Sequence, residues 1–346
     1  MKSEGRVYYY DLIKVYAAFM VCFYHLNVLE MGYIENQLYL PNLNKMIMNF
    51  CAMSVPLFFM VNGSLLLGKE YSLKEVILRT IKLLILYYSW VIIIAVVCSI
   101  IRGDMPNLTV KNIILRGTVD TVYLWFLRTM VILTIILPIL KKIYDCKFKN
   151  IYYWICIGLF LYPFLYNYVV PIAYYKGIDM PRTGLFTMYS ILYYFLGRKI
   201  TEKINYIGVS KTKINYFSIM SIVIGWILVT LEVVIWTNLE QKLFDGVNVS
   251  FPTIGALMMS MGVFLLMSQV TIPEIKVKRA IQFMGSNSLG IYILHVPLIV
   301  ALKEWFGISK MSLLLSVITT LVIMLTALVL ANIIKKIPVI KHLVTI

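Results

Sequence analysis

Ten apolar blocks, at about 10–29, 46–67, 82–101, 122–140, 151–169, 184–197, 214–236, 251–270, 287–302 and 311–334, fill the chain and leave only short polar connections between them. A helix rises about 1.5 Å per residue, so roughly 20 such residues cross a hydrocarbon core about 30 Å thick. Within that core the backbone must bond to itself, which helices do and open strands do not. The blocks predict an all-α, polytopic membrane protein of about ten transmembrane helices. The sixth and ninth blocks are short or interrupted by Gly and Pro. The chain is 61% hydrophobic and only 14% charged, against about 25% charged in soluble domains.

A net charge of +16 would suggest nucleic acid in a soluble chain, but its distribution assigns it here to membrane orientation and excludes nucleic acid as a partner. Lys2 and Arg6 precede the first block, and Lys69, Lys74 and Arg79 fill the second connection. Lys141, Lys142, Lys147 and Lys149 lie in the fourth, Arg198, Lys199, Lys203, Lys211 and Lys213 in the sixth, and Lys276, Lys278 and Arg279 in the eighth. Lys335, Lys336 and Lys341 follow the last block, whereas the odd connections hold Glu30, Glu35, Asp104, Asp120, Asp179, Glu240 and Asp245. The positive-inside rule then places both termini in the cytoplasm, as an even span count requires. The expected location is the inner (cytoplasmic) membrane, multi-pass. The first block is interrupted by Asp11 and Lys14 and lacks a small-residue cleavage site, so it is expected to stay in the protein. With no repeat period or low-complexity linker, residues 1–346 read as a single membrane domain. Cys22, Cys51, Cys98 and Cys156 fall within blocks and Cys146 in a connection, a pattern of packing residues with no disulfide or metal framework.

The first block, DLIKVYAAFMVCFYHLNVLE from Asp11 to Glu30, places a lysine and a histidine where both are costly. Lys14 and His25 are eleven residues apart, which returns to within roughly 20° of the same helix face and covers about 16 Å. Asp11, three residues before Lys14, is placed to hold the ammonium or to cap the helix. One reading has Lys14 snorkelling to headgroups and His25 marking the outer interface. The other has a cation near the cytoplasm and a general base above it, the geometry that a long phosphorylated acyl carrier needs.

The same segment resembles the opening of the acyltransferase-3 family of bacterial integral-membrane acyltransferases, in which an arginine and a histidine are separated by ten residues; Lys14 and His25 take those positions. VPLFFMVNGSLLL (Val55 to Leu67), YLWFLRTM (Tyr123 to Met130), YYFLGRKI (Tyr193 to Ile200) and SLGIYILHVPLI (Ser288 to Ile299) resemble further family motifs in family order. The likeness is greatest to the O-acetyltransferases that decorate surface polysaccharides. The resemblance implies ten helices, acyl-CoA as a cosubstrate taken from the cytoplasm, and acyl transfer to a sugar hydroxyl at the outer side. Two departures stand out. Lysine replaces arginine at position 14, exchanging a bidentate fork for a point charge. Tyr123 stands where many relatives have histidine before the LWF.

Other polar residues extend the candidate site. His295 lies about mid-membrane, with Tyr292 one turn earlier to orient it and Pro297 just after it; a satisfied packing histidine is the alternative. Ser286, Asn287 and Ser288 read as the cap of that helix. Arg128 and Glu232 fall at about the depth of His25: Glu232 either orients the imidazole as part of the catalytic set or pairs with Arg128 to lock helices. Trp125 and Phe126 read as an interfacial belt, with Trp125, Arg128 and Tyr292 as candidates for the acceptor site. Asn62, Gly63 and Ser64 mark close helix packing. Arg79 and Lys82 are candidate partners of the CoA phosphates alongside Lys14, although the positive-inside bias explains them equally. The expectation is an acyl-CoA-dependent O-acyltransferase, most simply an O-acetyltransferase using acetyl-CoA with no permanently bound cofactor and no metal, acting on a free or lipid-linked envelope saccharide. The alternatives are a transporter or exporter of an envelope sugar or lipid, built on the same charges, and a sensor or assembly subunit with no turnover.

Overall fold

The computed structural model describes residues 7–27, 41, 43–105, 109, 119–146, 154–158, 161, 176, 188–204, 210–241, 243–247, 253–307, 311–338 and 340–344. Among them the fold is all-helical with no strand. Helix α1 covers Tyr8–Asn27, α2 Leu43–Met48 and α3 Ser54–Leu66, the last two joined through a 3-10 turn at Asn49–Met53. After α4, Leu73–Arg102, a 3-10 segment at Val119–Leu124 leads into α5, Trp125–Ile135, and α6, Leu137–Tyr144. Then follow α7 (Met188–Ile204), α8 (Lys211–Glu240), α9 (Ile254–Ser268), α10 (Ile275–Ser286), α11 (Ser288–Phe306), α12 (Leu313–Lys336) and a 3-10 turn at Lys341–Val344.

Among the described residues, five stretches are long and apolar enough to cross a membrane: Leu43–Leu66, Leu73–Arg102, Lys211–Leu239, Ser288–Phe306 and Leu313–Lys336. A sixth is formed if Asp120–Ile135 and Leu137–Tyr144 are taken as one broken span. Helix α9 is a shorter apolar helix. The polar residues Asp11, Lys14, His25 and Asn27 hold α1 out of this set. The expected block at 151–169 and the start of that at 184–197 fall largely outside the described residues, as do Glu30, Glu35 and Asp179.

Local chemistry sets where the helices begin and end. The Ser72 hydroxyl accepts the Glu75 amide while the Glu75 carboxylate accepts the Ser72 amide at 2.7 Å, a reciprocal cap that starts α4. Gly103, at φ 72°, ends it in the left-handed region open to glycine. The cap expected for α11 is absent: Ser286 and Asn287 both bond back to the Phe283 carbonyl, finishing α10 instead. Lys335 then takes the Asn287 side-chain oxygen at 2.6 Å, so this amide is spent on α12 and on the end of α10.

Packing divides the chain into two units. The first comprises Met1–Ala17, Glu30–Lys69 and Ile139–Lys278; the second comprises Ala18–Leu29, Glu70–Pro138 and Arg279–Ile346. Helix α1 contributes its first half to one and its second half to the other. In the first unit, α3 and α7 cross where Gly63 meets the Tyr194 backbone and Gly197 meets the Met60 backbone; a Cβ at either would lie 2.3 or 2.1 Å from a carbonyl oxygen. Helices α8 and α9 also approach closely, at Gly225 and Gly255, where a Cβ would lie 2.5 or 2.7 Å from the facing carbonyl oxygen. Such contacts bring whole backbones into dispersion contact, which drives helix association where lipid is as apolar as leucine. A run of hydrogen bonds from the Tyr10 hydroxyl to Thr201 (3.1 Å) and on to Ser64 (3.2 Å) fixes the start of α1 against the same pair.

The crossing predicts that Gly63→Ala and Gly197→Ala lower stability by about 1–3 kcal/mol or more, since backbone must move to admit the methyl. Gly158→Ala, with nothing within 4 Å of the added carbon, serves as the control and leaves the melting temperature in detergent no lower.

Candidate active site

The chemistry of the second unit begins with a proline. Pro297 sits inside α11 and has no N–H to give the carbonyl four residues back. That carbonyl, on Ile293, accepts the Tyr123 hydroxyl instead, at 2.5 Å. The Tyr292 hydroxyl donates to the Tyr123 carbonyl, so the two strands of contact run in opposite directions. The 3-10 segment Val119–Leu124 is thereby stapled to the middle of α11 through two buried bonds. Phe126, whose ring lies 5.4 Å from that of Tyr292, closes the side of this cluster.

His295 is fully buried three residues beyond Tyr292 on the same helix. Its Nδ1 lies 2.5 Å from the Tyr292 carbonyl. A carbonyl only accepts, so Nδ1 carries the proton, and in the neutral ring Nε2 is a bare lone pair. Nε2 is buried and has no hydrogen-bond partner among the described residues. A buried polar atom left unpaired costs free energy, and in native proteins such atoms concentrate where function requires them.

His25 faces this group from the second half of α1. Its ring centroid is 5.1 Å from that of His295 and 6.0 Å from that of Tyr123, and Tyr123 stands 5.1 Å from His295. Among the described residues His25 makes ring contacts, to Tyr24, Tyr123 and His295, and no hydrogen bond. The end of α1 is held beside them by Asn27, whose side-chain oxygen accepts the Ser316 hydroxyl at 2.7 Å. Leu26 packs with Ile299 and Ile323 in a buried apolar cluster one residue away. The site is therefore an imidazole pair against an aromatic wall, with one lone pair oriented by the fold.

Of the residues singled out in the sequence, His25, His295 and Tyr292 come together here. Trp125 and Arg128 follow on α5, the first half-buried and the second exposed. Lys14 lies in the first unit, with its ammonium 4.0 Å from the buried Asp11 carboxylate. Glu232 is also in the first unit, buried on α8. Arg79 and Lys82 lie in the first turns of α4; Lys82 is exposed, while Arg79 meets Tyr71 and keeps its Nε buried and unpaired among the described residues. The sequence reading missed the role of Tyr123, although the signal was present: a proline four residues after Ile293 announces a free carbonyl that something must satisfy.

Removing the Tyr123 hydroxyl in Tyr123→Phe leaves that carbonyl unpaired and should cost about 1–3 kcal/mol. Pro297→Ala supplies an N–H to the same carbonyl, so the double variant should lose less than Tyr123→Phe loses alone. Melting temperatures of the four proteins in detergent measure this coupling, and additive losses would refute the shared carbonyl.

No curated protein and no solved structure matches the chain. The family model described as an acyltransferase domain matches residues 7–334, from the start of α1 to the last turn of α12. With nearly its whole length covered and the helices apolar enough to span a bilayer, the chain belongs to the acyltransferase-3 family and is a multi-pass membrane acyltransferase.

Proposed function

We propose that the protein is an acyl-CoA-dependent O-acyltransferase of the inner (cytoplasmic) membrane, transferring acetyl from acetyl-CoA to a sugar hydroxyl of a cell-surface polysaccharide or its lipid-linked precursor. Family membership supports acyl transfer, and the observation that carries the rest is the pairing of His25 with His295, whose Nδ1–H is committed to the Tyr292 carbonyl. In this reading His25 removes the proton from the acceptor hydroxyl as its oxygen attacks the thioester carbonyl. The C–S bond breaks, the ester forms, and the imidazolium returns its proton to the departing thiolate as CoASH. The buried lone pair of His295 accepts an N–H from His25 or the reacting hydroxyl, orienting whichever it holds.

The donor lies toward the cytoplasm. Continuous helix from Tyr8 to Asn27 supports the spacing of about 16 Å from Lys14 to His25, with Lys14 on the donor phosphates. Arg79 and Lys82 are the further donor-binding residues, and the unpaired Nε of Arg79 supports the first of them. Trp125, Arg128 and Tyr292 belong to the acceptor side. Glu232 is the further catalytic candidate, as a buried carboxylate. The whole of residues 1–346 acts as one domain in a topology of ten spans with both termini cytoplasmic.

If His25 is the base, His25→Ala lowers the rate of CoASH release by about two or more orders of magnitude while the protein stays folded. The wild-type rate falls on acidification, because a protonated imidazole cannot accept the hydroxyl proton. Turnover close to wild type in the variant removes His25 from the reaction.

Sidedness separates transfer from export. In sealed vesicles of known orientation, acetyl-CoA supplied on the cytoplasmic face should yield acetylated saccharide on the opposite face, and acetyl-CoA supplied only outside should be inert. Movement of unmodified saccharide with no CoASH released would instead establish a transporter.

A further inference from the structure

The geometry points to a second binding position beside the histidine pair, with Lys303 as the cation that holds an anionic group, a carboxylate or phosphate, on the saccharide whose hydroxyl reacts at His25. The inference rests on the acyl-transfer reading for the identity of the ligand as acceptor, and on the second unit alone for the position.

Three observations converge on Lys303. Its place on α11 is one turn beyond Ile299, which packs against Leu26, with Leu298 and Leu302 on the same cluster. Residues four apart share a helix face, so Lys303 projects along the side that meets the end of α1. Secondly, no carboxylate among the described residues pairs with it. Arg102 binds Asp120 through both guanidinium nitrogens, one at 2.9 Å, and stands 3.8 Å from Glu304. Asp120 and Glu304 are thus engaged by arginine, and Lys303 has no ion pair among the described residues although it is half-buried. Lys335, by contrast, ends on the Asn287 oxygen and the Ser286 carbonyl. A partly buried ammonium with no partner is costly unless a ligand supplies one. Thirdly, the unpaired Nε2 of His295 independently marks this cluster as incomplete without a ligand.

The spacing says what kind of ligand. Eight residues separate His295 from Lys303, about 12 Å along the helix. That is the reach of an oligosaccharide that places a hydroxyl at the histidines and a charged group further along, not of a single small alcohol. An ammonium recognises carboxylate and phosphate as a point charge without the planar match of arginine, so selection is for negative charge and not for one anion's shape. An anionic lipid headgroup offers the same chemistry and is the source to be told apart.

Trigalacturonate and maltotriose distinguish these cases as charged and neutral probes of similar length. The full chain is placed in nanodiscs of phosphatidylcholine alone or with phosphatidylglycerol, and binding is followed by calorimetry for wild type, Lys303→Met and Lys303→Arg. Wild type should bind trigalacturonate about tenfold or more tightly than maltotriose, on the scale of a charge-assisted hydrogen bond. Lys303→Met should abolish the difference, Lys303→Arg should keep it, and phosphatidylglycerol should leave it unchanged. Equal binding of the two saccharides, or a preference that survives Lys303→Met, overturns the proposal. So does a preference lost in phosphatidylglycerol, which would assign Lys303 to the lipid. CoASH release from acetyl-CoA is read separately. Charge-selective binding without any transfer refutes the acyltransferase chemistry and leaves the subsite, whereas transfer without charge selectivity refutes the subsite alone.

Discussion

A carbonyl without its donor organises the second unit. Pro297 deprives the Ile293 carbonyl of the N–H that an unbroken helix would give it, and in hydrocarbon no water replaces it. The Tyr123 hydroxyl does, and the cost of leaving that carbonyl bare ties the segment before α5 to the centre of α11. Tyr292 returns the contact to the Tyr123 carbonyl. Its own carbonyl then commits His295 Nδ1 and leaves Nε2 as the free lone pair. A single missing backbone donor thus fixes the orientation of a buried imidazole and the wall against which His25 sits.

The outer faces of the long helices are apolar, as a lipid solvent requires. Ile77, Ile81, Ile85 and Ile92 on α4, Ile227, Leu231 and Ile235 on α8, and Leu321, Val322, Leu325 and Val329 on α12 are exposed. In water such faces would be an aggregation hazard, but in a bilayer they match their solvent, and helix association has to come from fit. The glycines at 63, 197, 225 and 255 provide it by letting backbones touch. Several buried hydroxyls are bonded to the backbone one turn back, as Ser64 is to Met60 and Ser260 to Ala256.

Where the sequence was legible, one helix was enough to carry the inference. The Asp11–Lys14 pair, the shared face of Lys14 and His25 and the small-residue patch at Gly63 all follow from local spacing, and the structure shows a 20-residue helix, an ion pair at 4.0 Å and a backbone crossing. Partners supplied from elsewhere in the chain were harder to see. Tyr123 read as a lost imidazole because nothing local says that it serves Ile293, 170 residues away. Gly197 sat unremarked within a motif although it is the other half of the crossing at Gly63. Asn287 read as a cap for the helix it precedes, yet it finishes the helix before it and binds Lys335. Apolar periodicity could not settle span number either, since a block such as 122–140 resolves into two helices that break at Ile136.

The two departures from the family pattern alter the chemistry in a consistent direction. A histidine at position 123 would bring a third titratable ring to the cluster, with two nitrogens able to exchange roles. The phenol has one proton, which the Ile293 carbonyl holds, and near neutral pH it neither gains nor loses charge. Acid–base work in the proposed reaction therefore falls to two imidazoles, of which one has its tautomer set by the backbone. At position 14 a lysine replaces the arginine fork, and its ammonium is 4.0 Å from Asp11, the outer limit of an ion pair. A point charge so held can follow a phosphate through a range of angles, where an arginine would demand a planar match. In the proposed reaction, orientation of the donor then rests on what meets its acyl end and not on the cation at position 14.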